Sequence, residues 1–569
     1  MGANMRRAAT GARQTRKRDV PPATADARIS ATAGMRTRLV ILAVMVTFTS
    51  ITFQLARLAA SGPGDMVATL TEQTPRSLAR PDIVDRGGRL LATDVEMPSL
   101  YADPSLVRGI DNLTERLQTV LPDLDGAELR RILSDRNRRF AWIRRGLSPR
   151  LAQEVHDLGL PSLAFRTELR RAYPLERLGG HVLGAVNVDN RGAAGVERFI
   201  DEGLNVDPQH GRAFNAGLPV RLTIDLGVQH ALEEELKSAM SRYEAKGAAG
   251  LVMDVRTGEM VASSSLPGLH PSSPAELMDP ERRDKIQGGT YELGSIFKIV
   301  TVAMGLEGGK TKLDTVFDVT KPLTASRFTI RDVHPAGRPL TTSEILIRSS
   351  NVGSGLIALQ EGPEKQQAFL DKLGLTTTIR TEVGPVAPPQ LPPKLGRVEQ
   401  ITVSYGHGLA VAPIQFAAAV ASLINGGTAV TPTFISGHAG SADPLRVVQP
   451  ETSRDLNVLL RRTVSEPNGT GRRAEVPGYR VGGKTGTAEL PGRGGYQKKA
   501  VISSFLGAFP MDDPQYLTLI LLFEPSGTEE TGGEILAGRN AAPTAGRLIS
   551  RIAPLLGVKP ERDVALLRN

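Results

Sequence analysis

From Ile296 to Leu306 the chain presents almost no polar side. Ile296, Phe297, Ile299, Val300, Val302, Ala303, Met304 and Leu306 cover all faces of a 3.6-residue repeat, and Gly308-Gly309 ends it. A helix that is apolar all round belongs inside a core, so the chain must enclose it. The pattern predicts that this helix begins at Ser295. Ser295 and Lys298 lie three residues apart, on one face and within reach of each other. An amine held in an apolar wall resists protonation and can accept the proton of a neighbouring hydroxyl. A serine becomes nucleophilic in this way without a histidine.

Ser-x-x-Lys alone fits equally well an N-capping serine and a lysine snorkelling from a core helix. Two further stretches favour chemistry: Ser349-Ser350-Asn351, then Lys484-Thr485-Gly486-Thr487, in that chain order. With Tyr291-Glu292-Leu293-Gly294 leading into Ser295, these three stretches resemble the catalytic motifs of penicillin-binding proteins. The resemblance implies an α/β (α+β) fold, a penicillin-binding transpeptidase or serine β-lactamase-like domain with an antiparallel sheet and packed helices.

It also implies roles, residue by residue. Ser295 attacks a carbonyl carbon and Lys298 takes its proton. Ser349 relays that proton to the leaving amine, and Asn351 orients the relay and the substrate amide. Lys484 brings positive charge, the hydroxyls of Thr485 and Thr487 bind a carboxylate, and Gly486 leaves room for substrate along the strand edge. The backbone N–H groups of Ser295 and Thr487 form the oxyanion hole. No cofactor and no metal are expected.

At 569 residues the chain has room for two folded domains and appendages. The absence of cysteine excludes disulfides, thiolate metal sites and a cysteine nucleophile. The eight histidines show no zinc-hydrolase spacing. The net charge of +9 is concentrated rather than spread. Residues 1–38 hold nine Arg or Lys against Asp19 and Asp26, which gives 9 − 2 = +7 and leaves +2 for the remainder. That distribution argues against a nucleic-acid-binding face.

The basic head, 1–38, reads as a disordered cytoplasmic tail. Leu39 to Ala56 follows without a charge, so 39–59 is expected to be a single transmembrane helix. Positive charge before it places everything after it outside the cytoplasm. A cleaved signal peptide is the competing reading, against which the long charged region and long apolar stretch both count.

Residues 61–79 read as a polar stalk. Arg80 to Ala92 then reads as a strand, a Gly87-Gly88 turn and a returning strand. Asp85-Arg86-Gly87-Gly88 resembles the opening of class B penicillin-binding proteins, although Pro81 and Asp82 depart from the usual wording. Arg171 to Pro174, His181 to Gly184 and Gly195 to Asp201 resemble further motifs of that class. The resemblance therefore implies a pedestal domain over 60–215 and a transpeptidase domain over 216–569, with a linker from Asp207 to Pro219. His181 and Glu197 read as structural, and His407, in Tyr405-Gly406-His407-Gly408, as a packed loop histidine.

The substrate implied is the D-alanyl-D-alanine end of a peptidoglycan stem peptide, with β-lactams as covalent inhibitors of the same serine. A carboxypeptidase or β-lactamase would share the motifs but needs a committed water-activating carboxylate, for which Glu489 is near only in sequence. A β-lactam sensor or a non-catalytic division scaffold is the alternative of another class. The wording around Tyr291 and Thr329-Ile330-Arg331-Asp332 is most similar to the division-specific (FtsI-type) members, with the elongation type as alternative. A septal SEDS-family glycan polymerase and other division proteins would be partners at the bacterial inner membrane.

Overall fold

The computed structural model describes residues 41–54, 79–204, 218–326, 328–437, 445–492 and 495–561. The expected cytoplasmic tail, stalk and almost all of the linker lie outside the described residues. So do the flanks of the predicted membrane segment, whose residues 41–54 form a helix exposed along its whole length. No described helix is long and apolar enough to cross a membrane. Residues 79–569 form a separate compact unit.

That unit opens with β1 (Ile83–Val84) and β2 (Leu90–Ala102), the hairpin expected at Asp85 to Gly88. Helices α1 (Ile110–Val120) and α2 (Gly126–Ser134), strand β3 (Ala141–Arg144), helix α3 (Pro149–Asp157) and strand β4 (Leu163–Ala172) follow. Asp125 caps α2 and Ser148 caps α3 by accepting backbone N–H bonds, so the polar residue before each apolar repeat sets where it starts. β4 runs antiparallel along the whole of β2. Helix α4 (Gly195–Leu204) closes this region.

After the linker, β5 (Val220–Arg221) pairs in parallel with β1, so a strand from the start of the next region completes the first sheet. Asp85 and Arg86 reinforce that seam. The Asp85 carboxylate accepts from Arg89 and from the Leu226 N–H, while Arg86 donates to Glu259 at 3.1 Å and its N–H to the Ile224 carbonyl. The Asp-Arg-Gly-Gly wording is thus a weld as well as a turn.

Helix α5 (Leu226–Arg242) buries Val228, Leu232 and Leu236 against an antiparallel hairpin, β6 (Gly247–Asp254) and β7 (Met260–Leu266). The helical middle includes α6 (Lys298–Glu307), α7 (Thr342–Arg348), α8 (Asn351–Glu361), α9 (Pro413–Ile424) and α10 (Pro450–Ser465). Three strands return last: β8 (Gly482–Gly492), β9 (Gly495–Phe509) and β10 (Tyr516–Phe523), followed by α11 (Ala541–Leu555). The sheet order is β8-β9-β10-β6-β7, antiparallel throughout. Both ends of the region build one sheet, with α5 and α11 on one face and the helical middle on the other. β8 is an edge strand, so half of its backbone groups look away from the sheet.

Candidate active site

The buried helix differs from expectation at its start. Gly294–Phe297 form a 3-10 turn and α6 begins at Lys298, with no side chain capping it. Three backbones crowd there. Gly294 has φ +57°, and a Cβ on it would sit 2.8 Å from the Thr487 carbonyl; one on Gly406 would sit 2.2 Å from the Gly294 carbonyl. The tight turn lets the Ser295 loop nest between β8 and the loop at Gly406, which a regular helical start would not fit.

Lys298 is fully buried, and its Nζ lies 2.9 Å from Ser295 Oγ, 3.0 Å from Ser349 Oγ, 2.7 Å from the Ser349 carbonyl and 2.7 Å from Asn351 Oδ1. None of these neighbours is a carboxylate. Burial holds the amine well below the ordinary lysine range; the charge of Lys484 adds to this, and Asp332 opposes it. Ser295 and Ser349 therefore flank one proton-accepting nitrogen.

Ser349 ends α7 in the left-handed conformation, φ +65°, and Ser350 caps α8. Asp332 secures this turn: Ser350 Oγ donates to its carboxylate at 2.7 Å and the Val352 N–H at 2.9 Å, while Asn351 Nδ2 donates to the Arg331 carbonyl at 3.2 Å. The strained residue at the centre of the motif is held from both sides.

Lys484 is also fully buried, on β8, with Nζ 3.1 Å from the Thr485 carbonyl and 3.4 Å from Thr470 Oγ1. Burial lowers its pKa to about 7. Thr485 Oγ1 donates to Thr470 Oγ1 at 2.8 Å, and Thr487 Oγ1 accepts the Ala537 N–H at 3.2 Å. Gly486 is crowded on the side of the serine turn. A Cβ there would meet the Leu293 carbonyl and Ser504 Oγ, each at 2.5 Å. On that side the glycine admits the 3-10 turn.

The three motifs meet in one cleft of about 860 Å³, lined by Ser295, Ser349, Asn351, Thr485 and Thr487. His407 and Glu489 line it too. His407 is therefore a residue of the cleft wall, its pKa pushed down by burial against the pull of Glu292 and Glu489. Glu197 is structural as expected: it accepts from Arg171 at 2.6 Å, and His181 Nε2 lies 2.7 Å from the Arg282 carbonyl.

Asp332 and Thr470 were not among the expected site residues. Asp332 ends the Thr329-Ile330-Arg331-Asp332 segment, yet an aspartate in a loop carries no mark of what it will cap. Thr470 lies in an ordinary Asn-Gly-Thr-Gly turn. Among the described residues no cluster of His, Cys, Asp and Glu could hold a metal ion.

The family described as the penicillin-binding protein transpeptidase domain matches residues 248–545, and the penicillin-binding protein dimerisation domain matches 76–212. The chain is 36% identical over 500 residues to the probable peptidoglycan D,D-transpeptidase FtsI of Caulobacter vibrioides, covering 86% of this chain and 84% of that protein. It is 28% identical over 527 residues to peptidoglycan D,D-transpeptidase FtsI of Escherichia coli K12, covering 88% and 87%. It is 30% identical over 525 residues to stage V sporulation protein D of Bacillus subtilis, covering 85% and 79%.

Proposed function

The chain belongs to the penicillin-binding transpeptidase family, and from that premise we propose that it is a serine D,D-transpeptidase that cross-links peptidoglycan stem peptides in septal wall synthesis. The observation that carries this reading is the buried Lys298 amine, 2.9 Å from Ser295 Oγ and, among the described residues, in hydrogen-bond contact with no carboxylate.

Ser295 Oγ forms a bond to the penultimate D-alanyl carbonyl carbon as Lys298 Nζ takes its proton. The carbonyl oxygen, now negative, is met by the N–H groups of Ser295 and Thr487. The C–N bond breaks, the proton passes from Lys298 through Ser349 Oγ to the departing nitrogen, and D-alanine leaves. An amine of a second stem peptide then attacks the ester, gives its proton back along the same path, and frees Ser295. The 3.0 Å separation of Lys298 Nζ and Ser349 Oγ supports the relay.

Lys484, with Thr485 and Thr487, binds the terminal carboxylate. An amine whose pKa is about 7 in the free site is only partly charged at neutral pH. A bound carboxylate favours its charged form, and that charge in turn keeps Lys298 neutral.

The apolar stretch Leu39 to Ala56 anchors the chain at the inner membrane, with 216–569 as transpeptidase domain and 60–215 as pedestal outside the cytoplasm. Side chains such as Phe48 and Phe53, 68% and 70% exposed, support this, because such a surface is stable only in a non-aqueous setting. The FtsI names of the relatives support a role in septal wall synthesis, and a SEDS-family glycan polymerase is the partner we propose there. Labelling membranes with fluorescent penicillin, wild type beside Ser295→Ala, tests the chemistry. Equal labelling of both proteins would remove it. Even distribution of a tagged copy along the cell wall would favour the elongation type.

A further inference from the structure

The cleft contains more cationic side chains than the reaction above uses. Arg348, Arg472 and Arg473 all line it, and among the described residues none of the three forms an ion pair. Arg348 Nε is buried and meets no hydrogen-bond partner among the described residues. The three are brought together by a backbone contact: the Thr470 N–H donates to the Ile347 carbonyl at 3.4 Å, so the turn carrying Arg472 and Arg473 lies beside the end of α7 that carries Arg348. Thr470 also touches Lys484 and Thr485. Thr470 thus links the carboxylate pocket to the stretch of cleft wall that carries the arginines.

The acidic groups of the cleft do not neutralise them. The Asp332 carboxylate is occupied by Ser350 and Val352, and Glu534 by Arg539 at 3.0 Å. Glu489 lies on β8, where it acts on His407. Three guanidinium groups, one with a buried unsatisfied N–H, lack the anion that such a wall is shaped to take. Lys484, Thr485 and Thr487 already account for the terminal carboxylate.

We propose that Arg348, Arg472 and Arg473 form a second anion subsite that binds a free carboxylate of the stem peptide other than its C-terminal one. The proposal rests on the transpeptidase reading and specifies its substrate: a stem peptide whose internal carboxylate is unamidated. Guanidinium forks bind carboxylate in two parallel bonds, and a carboxamide in the same place would turn an N–H toward them.

The test uses the full chain, a stem-peptide amine acceptor that resolves the acyl-enzyme, and two synthetic donor pentapeptides ending in D-alanyl-D-alanine, alike except that one internal carboxylate is free in the first and amidated in the second. D-alanine release is measured as kcat/KM for each. The wild type is expected to prefer the free acid by about tenfold or more, the worth of one charge-assisted pair. In the R348Q/R472Q/R473Q variant that ratio is expected to fall to within about twofold of one. If Arg348→Gln prevents folding, the exposed pair R472Q/R473Q reads the same ratio alone. A wild type indifferent to amidation, or variants that keep the wild-type preference, would overturn the subsite. A wild type that releases no D-alanine from either peptide and takes no label from penicillin would instead remove the transpeptidase reading.

Discussion

Buried cations occur in two regions of this protein, and their surroundings differ. At the root of the N-terminal region Arg171 is fully buried, with Glu197 at 2.6 Å and Asp94 at 3.3 Å; Arg80 meets Glu197 at 3.0 Å and pairs with Asp201. In the cleft Lys298 and Lys484 are just as buried, yet their partners are hydroxyls, carbonyls and an amide. A buried cation matched by carboxylates stays charged and holds chains together. A cation buried without them sheds its proton readily, and its free lone pair is the reagent.

The sharpest challenge to that contrast is Lys298→Met. Penicillin acylation should fall by about 100- to 10,000-fold with loss of the general base. The melting temperature should rise, because a poorly matched buried amine becomes an apolar chain of similar length. Lys298 binds its proton less well folded than unfolded, so the wild type gains stability as pH climbs from the depressed value toward the ordinary one; the variant should lose that slope. A lower melting temperature would show that the amine stabilises the fold and break the comparison.

Glu197→Gln probes the other side. It leaves Arg171 and Arg80 short of a carboxylate and should cost about 3–5 kcal/mol in urea unfolding, while the molecules still folded label at the wild-type rate. A stability change below about 1 kcal/mol would mean that the two regions treat buried charge alike.

Gly486→Ala should push β8 away from the serine turn, since its Cβ meets the Leu293 carbonyl and Ser504 Oγ. Penicillin acylation should drop by about tenfold or more, as misplacement of reacting groups does. Wild-type labelling would show that the turn yields freely.

The smallest effect should come from Asp332→Asn, a severalfold slowing read as a pH profile. Acylation needs neutral Lys298 and fails as pH falls through its pKa. Removing the anion that favours its charged form should move that acidic limb to lower pH. A shift to higher pH would contradict the assigned field.

Much of the fold was legible because its signals are local. The Gly87-Gly88 turn between two apolar stretches marked the β1–β2 hairpin, and the all-round apolar run after Ser295 marked the buried helix α6. The three motifs were readable as a set because each is a compact string of chemically unusual residues. Asp332, Thr470 and Arg348 were not, because each depends on a contact made across the fold: Asp332 with Ser350, Thr470 with Thr485, and the Ile347–Thr470 backbone bond that brings Arg348 to the same cleft wall. The 3-10 start at Ser295 was hidden for a related reason, since the crowding that imposes it comes from Gly406 and Thr487.

The sequence by itself determined that Ser295 and Lys298 share a helical face, that the helix behind them is buried, and that a hydroxyl-amide motif and a lysine-threonine strand accompany them. These follow from residue spacing and side-chain chemistry, which need no partner. Only the tertiary structure decided that Lys298 contacts no carboxylate among the described residues, that β8 stands at the sheet edge against the serine turn, and that three arginines line the same cleft. Whether a cation is matched depends on what distant segments bring to it, and packing alone settles that.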